Sequence, residues 1–301
     1  MEIARVGILE TSSPDPERLR LWDAFRQRLR ELGHAEDRNL NFEFRWANGQ
    51  PERLPELAAE LVQLQVDAIV SAGTPAAFAA RQATTTIPIV MATGVSVGTG
   101  LNQGLLQSAG NITGLSDLAP GLSEKRLALL SQLVPGAGHF GILWDETNPS
   151  GSLAILEFQD AAGKLRLSLR TYGVAGLGEL DSALTAMARD GAGGFIVVPS
   201  AMFFAGRKRL VDLALEHRLP AMFVRGEYAE IGGLMAYGAP IIDNYLRAAG
   251  YVGRILNGAR PADLPVEQPT AFELVINLKT ARTLGIEVPQ AMLLCARQVG
   301  Q

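Results

Sequence analysis

The chain has 301 residues, 48% of them hydrophobic, and a formal net charge of −4 at pH 7. That is enough apolar material for two buried cores, so two domains are expected. The acidic balance, with no basic run or helix-turn-helix before the first strand, argues against a nucleic-acid partner, and every apolar stretch is strand-length rather than membrane-length.

In chain order, strand and helix patterns alternate. The first half predicts strands at 3–10, 39–46, 66–72, 87–92 and 112–115, with helices at 16–33, 51–65, 75–84 and 101–108. The second half predicts strands at 139–144, 166–173, 194–198, 220–224 and 233–238, with helices at 149–163, 179–191, 204–217 and 241–257. Apolar strands separated by amphipathic helices imply parallel sheets built of right-handed strand–helix–strand units. The fold class is therefore α/β, with two similar lobes, each a parallel sheet covered by helices.

The two halves repeat one grammar. Arg5 to Glu10 reads Arg-Val-Gly-Ile-Leu-Glu, then a polar turn at Thr11, Ser12, Ser13 and Pro14, then a helical pattern carrying Leu21, Trp22, Phe25 and Leu29. His139 to Trp144 reads His-Phe-Gly-Ile-Leu-Trp, then a polar turn from Asp145, then a helical pattern carrying Leu153, Leu156 and Phe158. A second echo pairs the strand from Asp67 to Thr74 with that from Gly194 to Ser200. Two such halves imply a cleft between them.

Three segments carry the chain from lobe to lobe: 111–120, rich in Gly, Asn and Pro, then 232–238, then the Pro-rich 261–270, which delivers a final helix near Leu278–Leu284. The expected lobes are 1–116 with 238–262, and 117–237 with 263–301, joined by a three-segment hinge that permits closure. The first strand begins almost at once at Arg5, so no secretory leader is expected within this sequence. The chain is thus expected to be cytosolic, or a mature exported form whose leader is gone and whose Met1 was added. The single cysteine, Cys295, forbids an internal disulfide and reads as an ordinary small apolar residue.

Several motifs now line up in order: Ala72-Gly73-Thr74-Pro75-Ala76, the run from Gly110 to Asp117, the run from Ile142 to Pro149, and the run from Gly232 to Gly238. Together with the duplicated strand starts they resemble the ABC-transporter substrate-binding family that includes tryptophan- and tyrosine-uptake proteins. The resemblance covers nearly all of the chain. It implies a type I periplasmic-binding-protein fold, located in the periplasm or at the cell surface, that delivers a small solute to ABC permease subunits in the membrane. A monomer is expected, with no nucleic-acid partner and no cofactor or metal.

In such a fold, loops at the C-terminal ends of strands line the ligand site. The candidates are Thr11, Ser12, Ser13, Gly73, Thr74, Gly94 and Val95 in the first lobe, and Trp144, Asn148, Ser200, Met202 and Glu227 in the second. Asp117 and Tyr237 lie on the crossing segments. Hydroxyls and small residues with few charges suit a small organic solute. Thr74 opens a helix with Pro75 behind it, where free amides and the helix dipole favour a carboxylate; alternatively it merely caps that helix. Ser12 and Ser13 stand in the same relation to the first helix. Asp117 is a candidate partner for a solute ammonium, or a turn-forming Asp; Glu227 is a second candidate, or a surface acid. Trp144 is an aromatic wall or a core residue. Phe203, Phe204 and Tyr228 are further candidate walls, at least one of them ordinary core, and Tyr237 offers its phenol or packs in its strand.

Enzyme readings find little. The run Gly94-Val95-Ser96-Val97-Gly98 matches a serine-hydrolase elbow, but Gly98 to Gly100 breaks the helix it needs. The histidines, His34, His139 and His217, fall away from the C-terminal sheet edges. The run from Gly98 to Gly104 is one residue too long for a dinucleotide fingerprint, no phosphate loop occurs, and Cys and His are too few for zinc. The expected function is a solute receptor for a small, carboxylate-bearing, amino-acid-like ligand. The alternatives are a racemase- or lyase-type enzyme using the same cleft, which would need a facing acid–base pair, and the sensing module of a regulator, which would need an output domain.

Overall fold

The computed structural model describes residues 3–36, 38–94, 110–116, 121–148 and 151–300. The chain divides into two lobes: Met1–Ala119 with Ile241–Pro269, and Pro120–Pro240 with Thr270–Gln301. It therefore passes between them at 119/120, 240/241 and 269/270. The lobe boundaries expected from the sequence stood at 116, 237 and 262.

The first lobe begins with β1 (Ala4–Glu10), α1 (Pro16–Glu31), β2 (Leu40–Trp46), α2 (Leu54–Gln63) and β3 (Ala68–Ala72). It continues with α3 (Thr74–Ala83), β4 (Ile89–Thr93) and β5 (Ile112–Gly114). The second lobe runs through α4 (Leu122–Leu133), β6 (Phe140–Asp145), α5 (Gly151–Leu165), β7 (Leu169–Val174) and α6 (Leu180–Arg189). Then come β8 (Phe195–Val197), α7 (Ala201–Ala205), α8 (Arg207–Glu216), β9 (Ala221–Phe223), α9 (Gly226–Glu230) and β10 (Met235–Gly238). The chain returns to the first lobe for α10 (Ile241–Leu256). It ends in the second with β11 (Glu273–Asn277), α11 (Leu278–Leu284), α12 (Gln290–Cys295) and β12 (Ala296–Val299).

In the first lobe the sheet order is β2-β1-β3-β4-β5, with every neighbour parallel. Alternate side chains of a strand face opposite ways. Val6, Ile8, Val70 and Val90 share one core with α1 and α10, while Leu9, Ile69, Ile89 and Met91 share another with α2 and α3. The helix α1 forms where local chemistry asks for it. Asp15 accepts the Arg18 amide at 2.8 Å, Pro16 opens the first turn, and Leu21, Trp22, Phe25 and Leu29 mark a buried stripe. The chain then turns off at Gly33, with φ 92°.

The second lobe's sheet runs β12-β11-β10-β9-β8-β6-β7. It is mostly parallel, not wholly so as the sequence suggested: β10 and β11 are antiparallel. The reason lies in the register. Gly238, where β10 ends, pairs with Glu273, where β11 begins, so the chain leaves and re-enters this sheet at one edge. One core lies between the sheet and α4, α5 and α11, and includes Leu130, Ile142, Phe158 and Ile276. The other lies under α6 to α9, and includes Leu184, Phe195, Leu210 and Phe223.

Some expectations are corrected. The helix read over 204–217 is two helices, α7 and α8, broken at Gly206, where a Cβ would strike the Leu177 side chain. The sequence reading passed over α4, α9, α12, β11 and β12. The helix expected at 101–108 and the elbow-like run after Gly94 lie outside the described residues. No helix among the described residues is long and apolar enough to cross a membrane.

Candidate functional site

Each sheet has one place where strand order reverses, and the crevice outside the strands' C-terminal ends at that point is where ligands of open α/β sheets bind. In the first lobe this is between β1 and β3; in the second it is between β6 and β8.

At the first switch point the predicted residues come together. The Thr11 amide and hydroxyl both donate to the Ala72 carbonyl, at 3.3 and 2.9 Å. The Gly73 amide donates to the carbonyl of Thr93 at 3.1 Å and to its hydroxyl at 3.0 Å. Gly73 has φ 99°, and a Cβ there would lie 2.7 Å from Thr11 Oγ1. Gly94 has φ 123° and packs on the next turn, where a Cβ would come 2.8 Å from the Thr74 amide nitrogen. Thr11, Gly73 and Gly94, which follow β1, β3 and β4, are therefore packed as one backbone assembly. The cap of α3 is Gly73, without a side-chain bond, rather than Thr74, which is the first helical residue.

Ser12 is 2% exposed, and its amide donates to Glu10 Oε1 at 3.0 Å. Its hydroxyl has no hydrogen-bond partner among the described residues. An orphaned buried hydroxyl at a switch point calls for a partner. Ser13 is partly exposed, and its carbonyl accepts the Asp15 amide at 2.8 Å. Val95 and Asp117 lie outside the described residues.

Beneath Ser12 lies a buried polar cluster that sequence reasoning missed. Glu10, 1% exposed, also accepts from Trp22 Nε1 at 3.2 Å and faces the Arg18 guanidinium at 4.0 Å. Arg18 in turn donates to the Tyr245 hydroxyl at 2.9 Å. Burial opposes the arginine's charge, but Glu10, Tyr245 and Asp15 together hold its pKa above the ordinary arginine value. The cluster ties β1, α1 and α10 to the loop that carries Ser12. The one available signal was an acid, Glu10, ending an apolar strand.

In the second lobe the placements are mixed. Asn148 bridges the switch point, its side-chain amide donating to the Pro199 carbonyl at 3.1 Å. Next to it, Asp145 Oδ1 accepts the amide and hydroxyl of Thr147 at 2.9 and 2.6 Å. Ser200 caps α7, accepting the Phe203 amide at 3.1 Å. Trp144 is partly exposed, packs on the core and lies against Gly151, where a Cβ would stand 2.8 Å from its ring. Met202 packs on the core under α6 to α9, and Glu227 is partly exposed in α9, away from the β6/β8 pair. Tyr237 in β10 has its ring 6.1 Å from that of Phe272, and its carbonyl accepts from Nε of the buried Arg126 at 2.9 Å.

The further aromatic walls are corrected. Phe203, Phe204 and Tyr228 are 0%, 2% and 3% exposed, and all three belong to the core. Phe204 is held between the guanidinium groups of Arg207 and Arg225, at 4.5 and 5.0 Å. The histidines stand away from the switch points: His34 follows α1, His139 precedes β6, and His217 follows α8 with Nε2 3.1 Å from Asp181. Among the described residues, no three His, Cys, Asp or Glu side chains gather as a metal site.

With this geometry in view, residues 6–300 match the family of ABC transporter substrate binding proteins. The chain belongs to that family. A tyrosine-binding protein of Clostridioides difficile is 25% identical over 266 residues, covering 87% of this chain and 76% of the relative. The crystal structure of an ABC domain in complex with L-Trp from Streptococcus pneumoniae superposes with a TM-score of 0.89 at 26% identity, covering 99% of this chain and 100% of the other. A conserved domain protein from Vibrio cholerae gives a TM-score of 0.87 at 25% identity, covering 99% of each chain. The fold of this substrate-binding protein is thus that of solved periplasmic-binding-protein structures.

Proposed function

We propose that this substrate-binding protein is the extracytoplasmic receptor of an ABC importer, holding a small carboxylate-bearing, amino-acid-like solute and presenting it to permease subunits. The observation that carries the reading is Ser12: a buried hydroxyl without a hydrogen-bond partner among the described residues, at the β1/β3 switch point, beside the start of a helix whose cap has no side chain. A carboxylate there gains the hydroxyl and the positive end of the α3 dipole. The relatives that bind tyrosine and L-Trp support an aromatic amino acid as the solute.

In the proposed pose the carboxylate points to the start of α3 at Thr74, the ammonium to Asp117, and the side chain to Trp144. The mechanism is closure rather than chemistry: a solute that contacts both lobes binds the closed form better and shifts the population toward it. Titration calorimetry with the twenty amino acids tests the reading. Tight binding of one class, lost in Thr74→Ala and Asp117→Asn, supports it; unchanged affinity in both variants refutes the pose, and turnover of the bound compound refutes the receptor.

A further inference from the structure

Trp46 was absent from the sequence candidates, yet it stands at the C-terminal end of β2, in register with Glu10. The backbone after it is bound to the switch-point loop: the Ala47 amide donates to the Glu10 carbonyl and the Gly49 amide to the Thr11 carbonyl, each at 2.8 Å. The ring stacks on Phe44 at 5.8 Å and 9° between planes. Phe44 and Phe42 belong to the same row, and Arg26 covers both of these, at 4.8 and 5.6 Å. Among the described residues no cation lies over Trp46, and the residue remains partly exposed. Trp22, by contrast, is 1% exposed and its indole N–H is spent on Glu10.

A tryptophan plane fixed by stacking, on a backbone that shares hydrogen bonds with Thr11 and Glu10, is a preorganised aromatic surface at the edge where the solute is proposed to sit. We infer that Trp46 is a specificity-determining residue of the solute site, an aromatic plane that favours solutes with an aromatic side chain. This rests on the receptor reading above. It adds a selectivity element in the first lobe to the Trp144 of the proposed pose.

The test is titration calorimetry of the full chain with L-Trp, L-Tyr, L-Phe, L-Leu and L-Met, for wild type, Trp46→Leu and Trp46→Phe, with Trp144→Phe as a fluorescence control. Trp46→Leu should weaken the aromatic amino acids by about tenfold and leave L-Leu and L-Met within about twofold, while Trp46→Phe retains most aromatic affinity. Solute-induced fluorescence changes should persist in Trp144→Phe and shrink in Trp46→Phe, a readout available even if the leucine variant folds poorly. If wild type binds an aromatic amino acid and Trp46→Leu binds it equally well, or loses aromatic and aliphatic solutes in proportion, Trp46 is no selector and the receptor reading stands. If wild type binds none of the three aromatic amino acids, Trp46 is no selector; if it also binds none of the other amino acids, the receptor reading falls as well.

Discussion

Thr11 Oγ1 sits 2.7 Å from where a Cβ on Gly73 would be, and that hydroxyl is already bonded to the Ala72 carbonyl at 2.9 Å. Gly73 also holds φ 99°, a conformation that L side chains rarely adopt. Gly73→Ala therefore meets both strain and crowding. It should lose about 1–3 kcal/mol in urea denaturation. Solute affinity should fall with it, because Gly73 packs against both Thr11 and the start of α3, where the solute carboxylate is proposed to sit.

Ser12→Ala should separate stability from binding. Removing a buried hydroxyl that has no partner among the described residues relieves a desolvation cost, so the solute-free protein should melt at the same temperature or slightly higher. Solute affinity should drop by about tenfold if the hydroxyl meets the carboxylate. A melting scan and a titration on the same sample check both signs.

Glu10→Gln leaves the Arg18 guanidinium buried, with its carboxylate neighbour gone. The cost should be about 3–5 kcal/mol in denaturant. Pairing it with Arg18→Met should recover part of that loss, because the double variant buries no unbalanced charge. A loss in the double variant equal to the sum of the two single losses would show that the two side chains do not act as a pair.

Acid should act on the first lobe through Glu267. Its carboxylate pairs with Arg247, and its backbone bonds Gly114 and Ser116, pinning the return segment to β5. Burial raises its pKa, but the hydrogen bonds with Tyr251 and Arg247 outweigh that and hold it below the usual glutamate value. Stability from this group is complete above the unfolded-state pKa and disappears as pH falls through the lower folded-state pKa. Melting temperature should therefore decline as the pH drops from about 5 to 3, and less steeply in Glu267→Gln.

The alternation of apolar strands and amphipathic helices was legible because both sheets are buried on two faces, so β1, β3, β4 and β6 read as continuous apolar runs. The strand β12 escaped because Ala296–Val299 is a half-exposed edge with Arg297 and Gln298 in it, too polar to show a period. Gly206 hid a helix break that only the neighbouring Leu177 explains. At the site, Thr11, Gly73 and Gly94 were readable from turn chemistry. The Glu10 cluster was not, since Arg18, Trp22 and Tyr245 come from two helices and nothing in their spacing announces that they meet. Trp46 was passed over for the same reason: its register beside Glu10 is a property of the sheet, not of the local sequence.

The antiparallel pairing of Gly238 with Glu273 has a consequence for how the protein is made. Residues 241–269 are an excursion between two strands that are neighbours in the second lobe, yet Tyr245, Ala248 and Val252 are part of the core around α1. A ribosome releasing this chain from its N-terminal side supplies β1 to β5 first but withholds α10, which packs on them with α1, until β6 to β10 of the second lobe have also emerged. The lobe that starts first must therefore wait with one apolar face covered by α1 alone, and is the natural client of holding factors during synthesis.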